Sequence, residues 1–208
     1  MRALLLTALA ATALSAQGTQ ADYVARNFRF TTGETLPEVK IHYTTIGTPR
    51  KDAKGIVRNA VLIGHGTGGN GRGTFIGRGW AGELYGPGQT LDTTKYYIIL
   101  PDQLGHGQSS KPSDGLHAKF PHYTYDDMVK LQYLMLTEGL GVNHLRLVMG
   151  TSMGCMHSWV FLYTYPDFMD GAVPLACAPT PLVGRNRMIR TAIMDALRTD
   201  PDYNGGEY

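Results

Sequence analysis

The sequence contains only two cysteines in 208 residues, Cys155 and Cys177. Small secreted proteins that rely on a disulfide framework carry several pairs, so that class is excluded. We expect the two side chains to be buried thiols that pack as small apolar groups. A bridge between them is permitted if the protein resides in an oxidising compartment.

Charge is also scarce and nearly balanced. Charged residues make up 17% of the chain, and 19 basic against 17 acidic side chains give a formal net charge of +2. No segment concentrates basic residues among aromatic ones, so a nucleic acid partner is not expected. The 43% of hydrophobic residues suffice for a sizeable core, which excludes disordered and low-complexity classes. The composition gives no indication of oligomeric state.

An apolar run long enough to span a bilayer is missing too. The apolar residues 3–14 follow Met1-Arg2 and precede Ser15-Ala16-Gln17-Gly18, an order typical of a secretory signal peptide. We predict a signal peptide over residues 1–16, and a periplasmic or secreted protein without a stable membrane anchor. The alternative is a buried N-terminal helix.

The remaining sequence predicts an alternation of strands and helices. Residues 28–32 and 39–45 are expected to form an antiparallel hairpin around the turn at 33–35. Four short runs without polar alternation are typical of parallel strands covered on both faces: 60–63, 96–100, 145–149 and 172–176. Helices are predicted over 124–139, opened by a capping box of Thr124 and Asp127, over 153–165, and over 185–198. This order predicts an α/β fold with a doubly wound, mostly parallel sheet.

The segment Gly150-Thr151-Ser152-Met153-Gly154 matches the pattern G-x-S-x-G between a predicted strand and a predicted helix. A serine on such a sharp turn stands clear of the sheet and can act as a nucleophile, while larger residues at positions 150 and 154 would collide. The N–H of Met153 would begin the helix and point at a developing oxyanion. The alternative is an ordinary helix-capping serine.

A glycine-rich loop at residues 64–70 follows the strand predicted at 60–63 and can supply a second oxyanion donor. Its sequence also satisfies G-x-G-x-x-G, the fingerprint of dinucleotide binding. That interpretation requires a helix directly afterwards. Because Asn70-Gly71-Arg72-Gly73 is expected to continue the loop, dinucleotide binding is disfavoured.

These motifs, with several others, resemble the α/β-hydrolase superfamily and, within it, its homoserine O-acetyltransferase-like branch. The matching residues occur in family order at 43–47, 65–69, 86–88, 91–93, 102–109, 150–154, 165–167, 190–193 and 200–201. The resemblance implies an α/β-hydrolase fold, Ser152 as nucleophile, and the N–H groups of Thr67 and Met153 as the oxyanion hole. It also implies a helical lid that begins near Arg185.

Within that lid, the resemblance implies that Arg190 faces the pocket and binds a substrate carboxylate through its planar guanidinium. The alternative is a solvent-facing arginine beside Arg187. The domain organisation implied is an α/β-hydrolase core over residues 17–183 and the start of the lid over 184–208.

The sequence departs from the transferase pattern at three places. Homoserine acetyltransferases usually have asparagine and cysteine where this chain has Asp102 and Gly107, and glycine where it has Thr151. An exported protein would also encounter little acetyl-CoA. These departures favour water over homoserine as the acyl acceptor.

The histidine and acid of a catalytic triad follow the nucleophile in α/β-hydrolases. After Ser152 the chain has only His157, which is expected to point away from it. His65 and His106 are interpreted as loop histidines held by local hydrogen bonds, and His117 with His122 lacks a nearby third metal ligand. We therefore expect the C-terminal strands and most of the lid to be missing from a truncated chain.

We interpret the sequence as an exported serine-nucleophile acyl hydrolase that acts on small acyl esters and needs no cofactor or metal. One alternative is an O-acyltransferase of the homoserine O-acetyltransferase type, with acetyl-CoA as acyl donor. Another is a non-catalytic binding module.

Overall fold

The computed structural model describes residues 18–76 and 80–207, so the predicted signal peptide lies outside the described part. The strands are β1 (Thr19–Arg29), β2 (Thr35–Ile46), β3 (Ala60–Gly64), β4 (Tyr97–Pro101), β5 (Leu147–Thr151) and β6 (Ala172–Leu175). The helices are α1 (Gly71–Phe75), α2 (Trp80–Leu84), α3 (Tyr125–Leu134), α4 (Met153–Thr164) and α5 (Arg185–Thr199). Short 3-10 turns lie at Pro112–Asp114, His117–Lys119, Pro166–Phe168 and Pro201–Gly206, and a π turn at Met135–Gly139 extends α3.

The strands form one mixed sheet in the order β1-β2-β4-β3-β5-β6. Strand β2 pairs antiparallel with both β1 and β4, whereas β4, β3, β5 and β6 are parallel neighbours. The predicted parallel sheet with an N-terminal antiparallel hairpin is thereby confirmed. The carboxyl ends of β3, β4 and β5 meet at one edge, which is where α/β proteins place ligands.

Both faces of the central strands are buried, as their continuous apolar runs predict. Leu62 and Ile99 join one hydrophobic cluster, while their neighbours Val61 and Ile98 join another on the opposite face. The first cluster includes buried residues of α3 and α4, and the second packs around Phe75 of α1. Alternate residues therefore serve two cores, which leaves no polar position in these strands.

The hairpin and one helix differ from the prediction. Strand β1 begins at Thr19 and ends at Arg29, not at residues 28–32, because its exposed polar residues conceal the strand period. A helix does follow the glycine-rich loop: Asn70 caps α1 by accepting the N–H of Gly73 through its side chain. The expectation that no helix starts there was wrong, since this capping interaction outweighs the weak helix propensity of two glycines.

Dinucleotide binding gains no support from this short helix. The acid that would follow the next strand is Asp102, and its carboxylate oxygens accept the N–H groups of Gly71 and Gln108 at 2.8 Å each. The buried Asp102 side chain therefore joins the segments that contain Gly71 and Gln108. Its two oxygens bind these backbone groups rather than facing a ligand.

Helix α3 begins with the predicted capping box, in which the carboxylate of Asp127 accepts the N–H of Thr124 at 3.0 Å. The same buried carboxylate accepts the N–H and the hydroxyl of Thr31 at 2.7 Å each. Asp127 thus attaches the turn of the β1-β2 hairpin to the start of α3.

The cysteines form a disulfide, so the expectation of two free thiols was wrong. Cys155 lies in the first turn of α4 and Cys177 just beyond β6. Because β5 and β6 are parallel neighbours, their carboxyl ends lie side by side and bring the two Cα atoms to 6.0 Å, within disulfide range. Only tertiary pairing, which the sequence does not display, creates this proximity.

Helix α5 lies on the surface, with none of its residues buried. Its apolar stripe of Ile189, Ile193 and Leu197 is 53%, 55% and 54% exposed. More than half of each of these three side chains is therefore exposed to solvent.

Candidate active site

The turn between β5 and α4 has the geometry that a nucleophilic serine requires. Ser152 adopts φ 52° and ψ −109°, a strained conformation for a residue with a Cβ atom, and its side chain is exposed. Helix α4 begins at the next residue, Met153. The predicted sharp strand-to-helix turn is confirmed.

Close backbone packing explains the two glycines of the motif. A Cβ atom placed on Gly150 would collide with the backbone of Gly154, and one placed on Gly154 would collide with the backbone of Gly64 in β3. The turn around Ser152, which we call the nucleophile elbow, therefore packs in close backbone contact with helix α4 and strand β3. No other residue type fits at these positions without displacing backbone.

The glycine-rich loop lies directly beside the serine. A Cβ atom at Gly66 would stand 3.3 Å from the Cβ atom of Ser152 and 3.9 Å from its Oγ atom. Thr67 follows in the same loop and is exposed. The fold thus brings together the two segments that were predicted to supply the nucleophile and the second oxyanion donor.

A cavity of about 410 Å³ adjoins this elbow. Its lining comprises Thr67, His106, Tyr123, Thr124, Tyr125, Met128, Met153 and Arg190. Three residues predicted from the sequence, Thr67, Met153 and Arg190, therefore share one cavity. Arg190 reaches it from α5, where its Nε atom also donates to Asn186 Oδ1 at 3.0 Å.

Sequence reasoning missed one wall of this cavity, which the residues around the start of α3 provide. Tyr123 and Tyr125 flank the capping residue Thr124, and Met128 lies one turn further on. The sequence predicts only a helix start there, at Thr124. No motif marks these side chains, because their place in the wall depends on how α3 packs beside α4.

The three histidines near the site have partners other than Ser152. His65 contacts Gly66 and Gln103 through its two ring nitrogens, and His106 Nδ1 lies 3.1 Å from the carbonyl oxygen of Leu104. His157 is buried in α4, where its Nδ1 atom lies 3.1 Å from Gln132 Nε2. His65 and His106 are loop histidines with a local hydrogen-bond partner each, as interpreted, but the second bond of His65 comes from Gln103, 38 residues away.

Burial lowers the pKa of two of these histidines. The pKa of His65 falls to about 4 and that of His157 to about 3, because both rings are removed from water and face neighbouring histidines. Both rings are therefore neutral near pH 7.

Within the described ranges, no three histidine, cysteine or acidic side chains cluster as metal ligands would. The same ranges contain no helix with the length and apolar character needed to cross a membrane.

The family model described as alpha/beta hydrolase fold matches residues 59–207. The chain belongs to this family. Its resemblance to the homoserine O-acetyltransferase-like branch is confirmed by the homoserine O-acetyltransferase of Haemophilus influenzae, which is 35% identical over 189 residues. That match covers 85% of this chain and 50% of the relative, so the chain spans about half the length of the curated protein it matches.

Solved structures of both chemical types share the fold. An acetylester hydrolase from Corynebacterium glutamicum matches with a TM-score of 0.78 at 26% identity, covering 92% of this chain and 53% of that one. A homoserine O-acetyltransferase from Bacillus anthracis matches with a TM-score of 0.70 at 26% identity, covering 91% and 55%. The similarity thus extends to esterases and to acyltransferases alike.

Proposed function

We propose that the protein is a serine-nucleophile acyl hydrolase that acts on small acyl esters through an acyl-enzyme. The observation that carries this proposal is the strained, exposed Ser152 at the start of α4, beside the glycine-rich loop. The chain spans only about half the length of its curated relative, so the activity and the substrate are proposals about the whole protein.

In the proposed mechanism, Ser152 Oγ attacks the acyl carbonyl and its proton passes to a histidine base. The N–H groups of Met153 and Thr67 stabilise the tetrahedral oxyanion. This intermediate then expels the leaving oxygen, which takes the proton from the histidine and departs as the alcohol, and an acyl-serine remains. Water hydrolyses this ester in the second half of the cycle. We assign the base to none of His65, His106 and His157, because each is engaged or buried elsewhere.

Arg190 is the positively charged side chain that lines the cavity, and we propose that it binds a carboxylate on the substrate. Its guanidinium can form two parallel hydrogen bonds to such a group. This role would favour acyl esters whose acid or alcohol part is itself anionic.

Acyl transfer to homoserine is the second candidate, and the curated relatives favour it. It uses the same acyl-enzyme but replaces water with an alcohol, and acetyl-CoA would be the acyl donor. Asp102 and Gly107, which depart from the transferase pattern, favour hydrolysis, as does the acetylester hydrolase among the solved structures.

We further propose that the mature protein is periplasmic or secreted. The apolar run over residues 3–14 supports this location, and so does the disulfide between Cys155 and Cys177, a bond rarely kept in the cytoplasm.

The two candidates are separated by a partition experiment. The protein is incubated with a short-chain aryl acetate or with acetyl-CoA, in the presence and absence of homoserine, and both free acid and O-acetylhomoserine are quantified. We expect ester hydrolysis that homoserine does not accelerate and that Ser152→Ala abolishes. Formation of O-acetylhomoserine faster than hydrolysis would establish the transferase instead. A folded protein that performs neither reaction would favour the binding-module alternative.

A further inference from the structure

The peptide unit between Gly66 and Thr67 contains the Thr67 N–H, which is the proposed second oxyanion donor, and the Gly66 carbonyl oxygen, which accepts two hydrogen bonds. The Gly66 oxygen lies 2.8 Å from His65 Nδ1 and accepts the N–H of Gly69 at 3.1 Å. Because a peptide unit is planar and trans, its N–H points opposite to its carbonyl oxygen. The two bonds to Gly66 therefore also fix the direction of the Thr67 N–H.

The hydrogen bond at the other ring nitrogen determines where the proton of His65 resides. The backbone N–H of Gln103 points at His65 Nε2 over 2.9 Å. A backbone N–H can only donate, so Nε2 must carry a lone pair. In the neutral ring the proton then lies on Nδ1, which donates to the Gly66 oxygen. Gln103, in the loop after β4, thus sets the tautomer of His65 that allows the ring to donate to Gly66 in the loop after β3.

The surroundings of the ring preserve this arrangement. His65 has no exposed surface, and its ring packs edge-on against His106 with centroids 5.4 Å apart. The ionisable groups that act on it are His106, His157 and Asp102. Burial keeps the pKa of His65 near 4, so the ring stays neutral and its Nε2 atom remains an acceptor at neutral pH.

We propose that His65 is a positioning residue that presets the oxyanion hole by holding the Gly66–Thr67 peptide through its Nδ1 proton. This inference rests on the proposed function, in which the Thr67 N–H binds the oxyanion. His65 itself contacts no substrate, because its ring is buried behind the loop and His106 lines the cavity in its place.

The tautomer can be read directly from the unmodified protein. With ¹⁵N-labelled histidine, long-range ¹H–¹⁵N correlation spectra distinguish a protonated from an unprotonated ring nitrogen. We expect His65 to show a protonated Nδ1 and an unprotonated Nε2 at pH 7. A proton on Nε2, or a doubly protonated ring, would overturn the inference without reference to catalysis.

Two substitutions separate the two bonds of the ring. His65→Asn places an amide N–H near the position of Nδ1 and can still donate to Gly66, whereas His65→Gln places an amide oxygen near Nε2 and retains only the bond from Gln103. We expect His65→Gln to lower kcat for ester hydrolysis roughly tenfold to a hundredfold with KM changed less than about threefold. His65→Asn should retain kcat within about threefold of the wild-type value.

His122→Gln is the matched control, because His122 is exposed and its side chain belongs to neither loop of the site. Thermal unfolding of each variant confirms that kcat is compared between folded proteins.

Equal kcat values for His65→Gln, His65→Asn and the wild type would overturn the positioning role, as would equal losses in both variants. If Ser152→Ala keeps full activity, the proposed function fails, and the role of His65 in an oxyanion hole fails with it. Loss of activity in Ser152→Ala with normal kcat in His65→Gln refutes the His65 inference alone.

Discussion

The backbone N–H of Ser152 donates to the carbonyl oxygen of Leu175 over 3.0 Å. The strained serine is thereby held by the last residue of β6, and the disulfide between Cys155 and Cys177 joins the same two segments two to three residues further on. A hydrogen bond and a covalent bond thus connect the nucleophile elbow to the exit of the edge strand.

Because of this disulfide, we predict that a reductant lowers the free energy of unfolding of the protein. The disulfide closes a loop with a sequence separation of 22 residues, for which the loss of unfolded-state entropy contributes about 3 kcal/mol. We expect a reductant to lower the free energy of unfolding by about this amount, as measured by denaturant titration. The double variant Cys155→Ala/Cys177→Ala should unfold identically with and without reductant. A wild-type protein that is insensitive to complete reduction would contradict the prediction.

Gly150→Ala tests the close packing of the elbow. The new methyl group would collide with the backbone of Gly154, and overpacking against backbone destabilises by at least about 2 kcal/mol. Calorimetric melting should therefore show a strongly lowered transition or no cooperative fold. Gly171→Ala is the matched control, because no atom lies within 4 Å of a Cβ atom placed there. Similar melting temperatures for the two variants would contradict the packing argument.

The buried histidines predict a loss of stability in mild acid. Their pKa values in the folded state, about 4 for His65 and about 3 for His157, lie below the ordinary value of 6.5. Between these limits the unfolded chain binds more protons than the folded one, so the free energy of unfolding falls as the pH falls from about 6.5 to about 4 for the contribution of His65 and to about 3 for that of His157. Below the folded-state pKa values the contribution stays constant.

Urea unfolding measured at successive pH values checks this slope. His65→Asn should flatten it, because one of the two depressed groups is removed. Identical slopes in the wild type and in His65→Asn would show that His65 has the same pKa in the folded protein as in the unfolded chain, contrary to the prediction.

Arg190→Ala tests the proposed recognition of a carboxylate. Loss of a charge-assisted hydrogen bond should raise KM for an ester that bears a carboxylate roughly tenfold or more, while a neutral ester of the same size is affected little. Arg187→Ala, three residues earlier on α5, should behave as the wild type, since Arg187 does not line the cavity. An equal rise in KM for the neutral ester would indicate a structural role for Arg190.

The parts of the fold that could be predicted from the sequence are those with a local signal. Strands β3 to β6 are continuous apolar runs, and Thr124 with Asp127 forms the cap that its spacing predicts. The elbow was predictable because two glycines and a serine leave few other structures between a strand and a helix. Local chemistry suffices in each of these cases.

The missed features depend on partners far away in the sequence. Strand β1 is mostly exposed and depends on its pairing with β2, so no run of apolar residues reveals it. The disulfide requires β5 and β6 to be parallel neighbours. The wall formed by Tyr123 and Tyr125 requires the placement of α3 beside α4, and the tautomer of His65 requires the N–H of Gln103, 38 residues away.

Covalent labelling of Ser152 is the most direct test of the proposed chemistry. The protein is treated with a fluorophosphonate probe, digested, and searched by mass spectrometry for the modified residue. We predict a single adduct on Ser152, no adduct in Ser152→Ala, and normal labelling in Ser158→Ala, whose buried hydroxyl only donates to the carbonyl of Gly154. Equal labelling of the wild type and Ser152→Ala would contradict the assignment of Ser152 as the nucleophile.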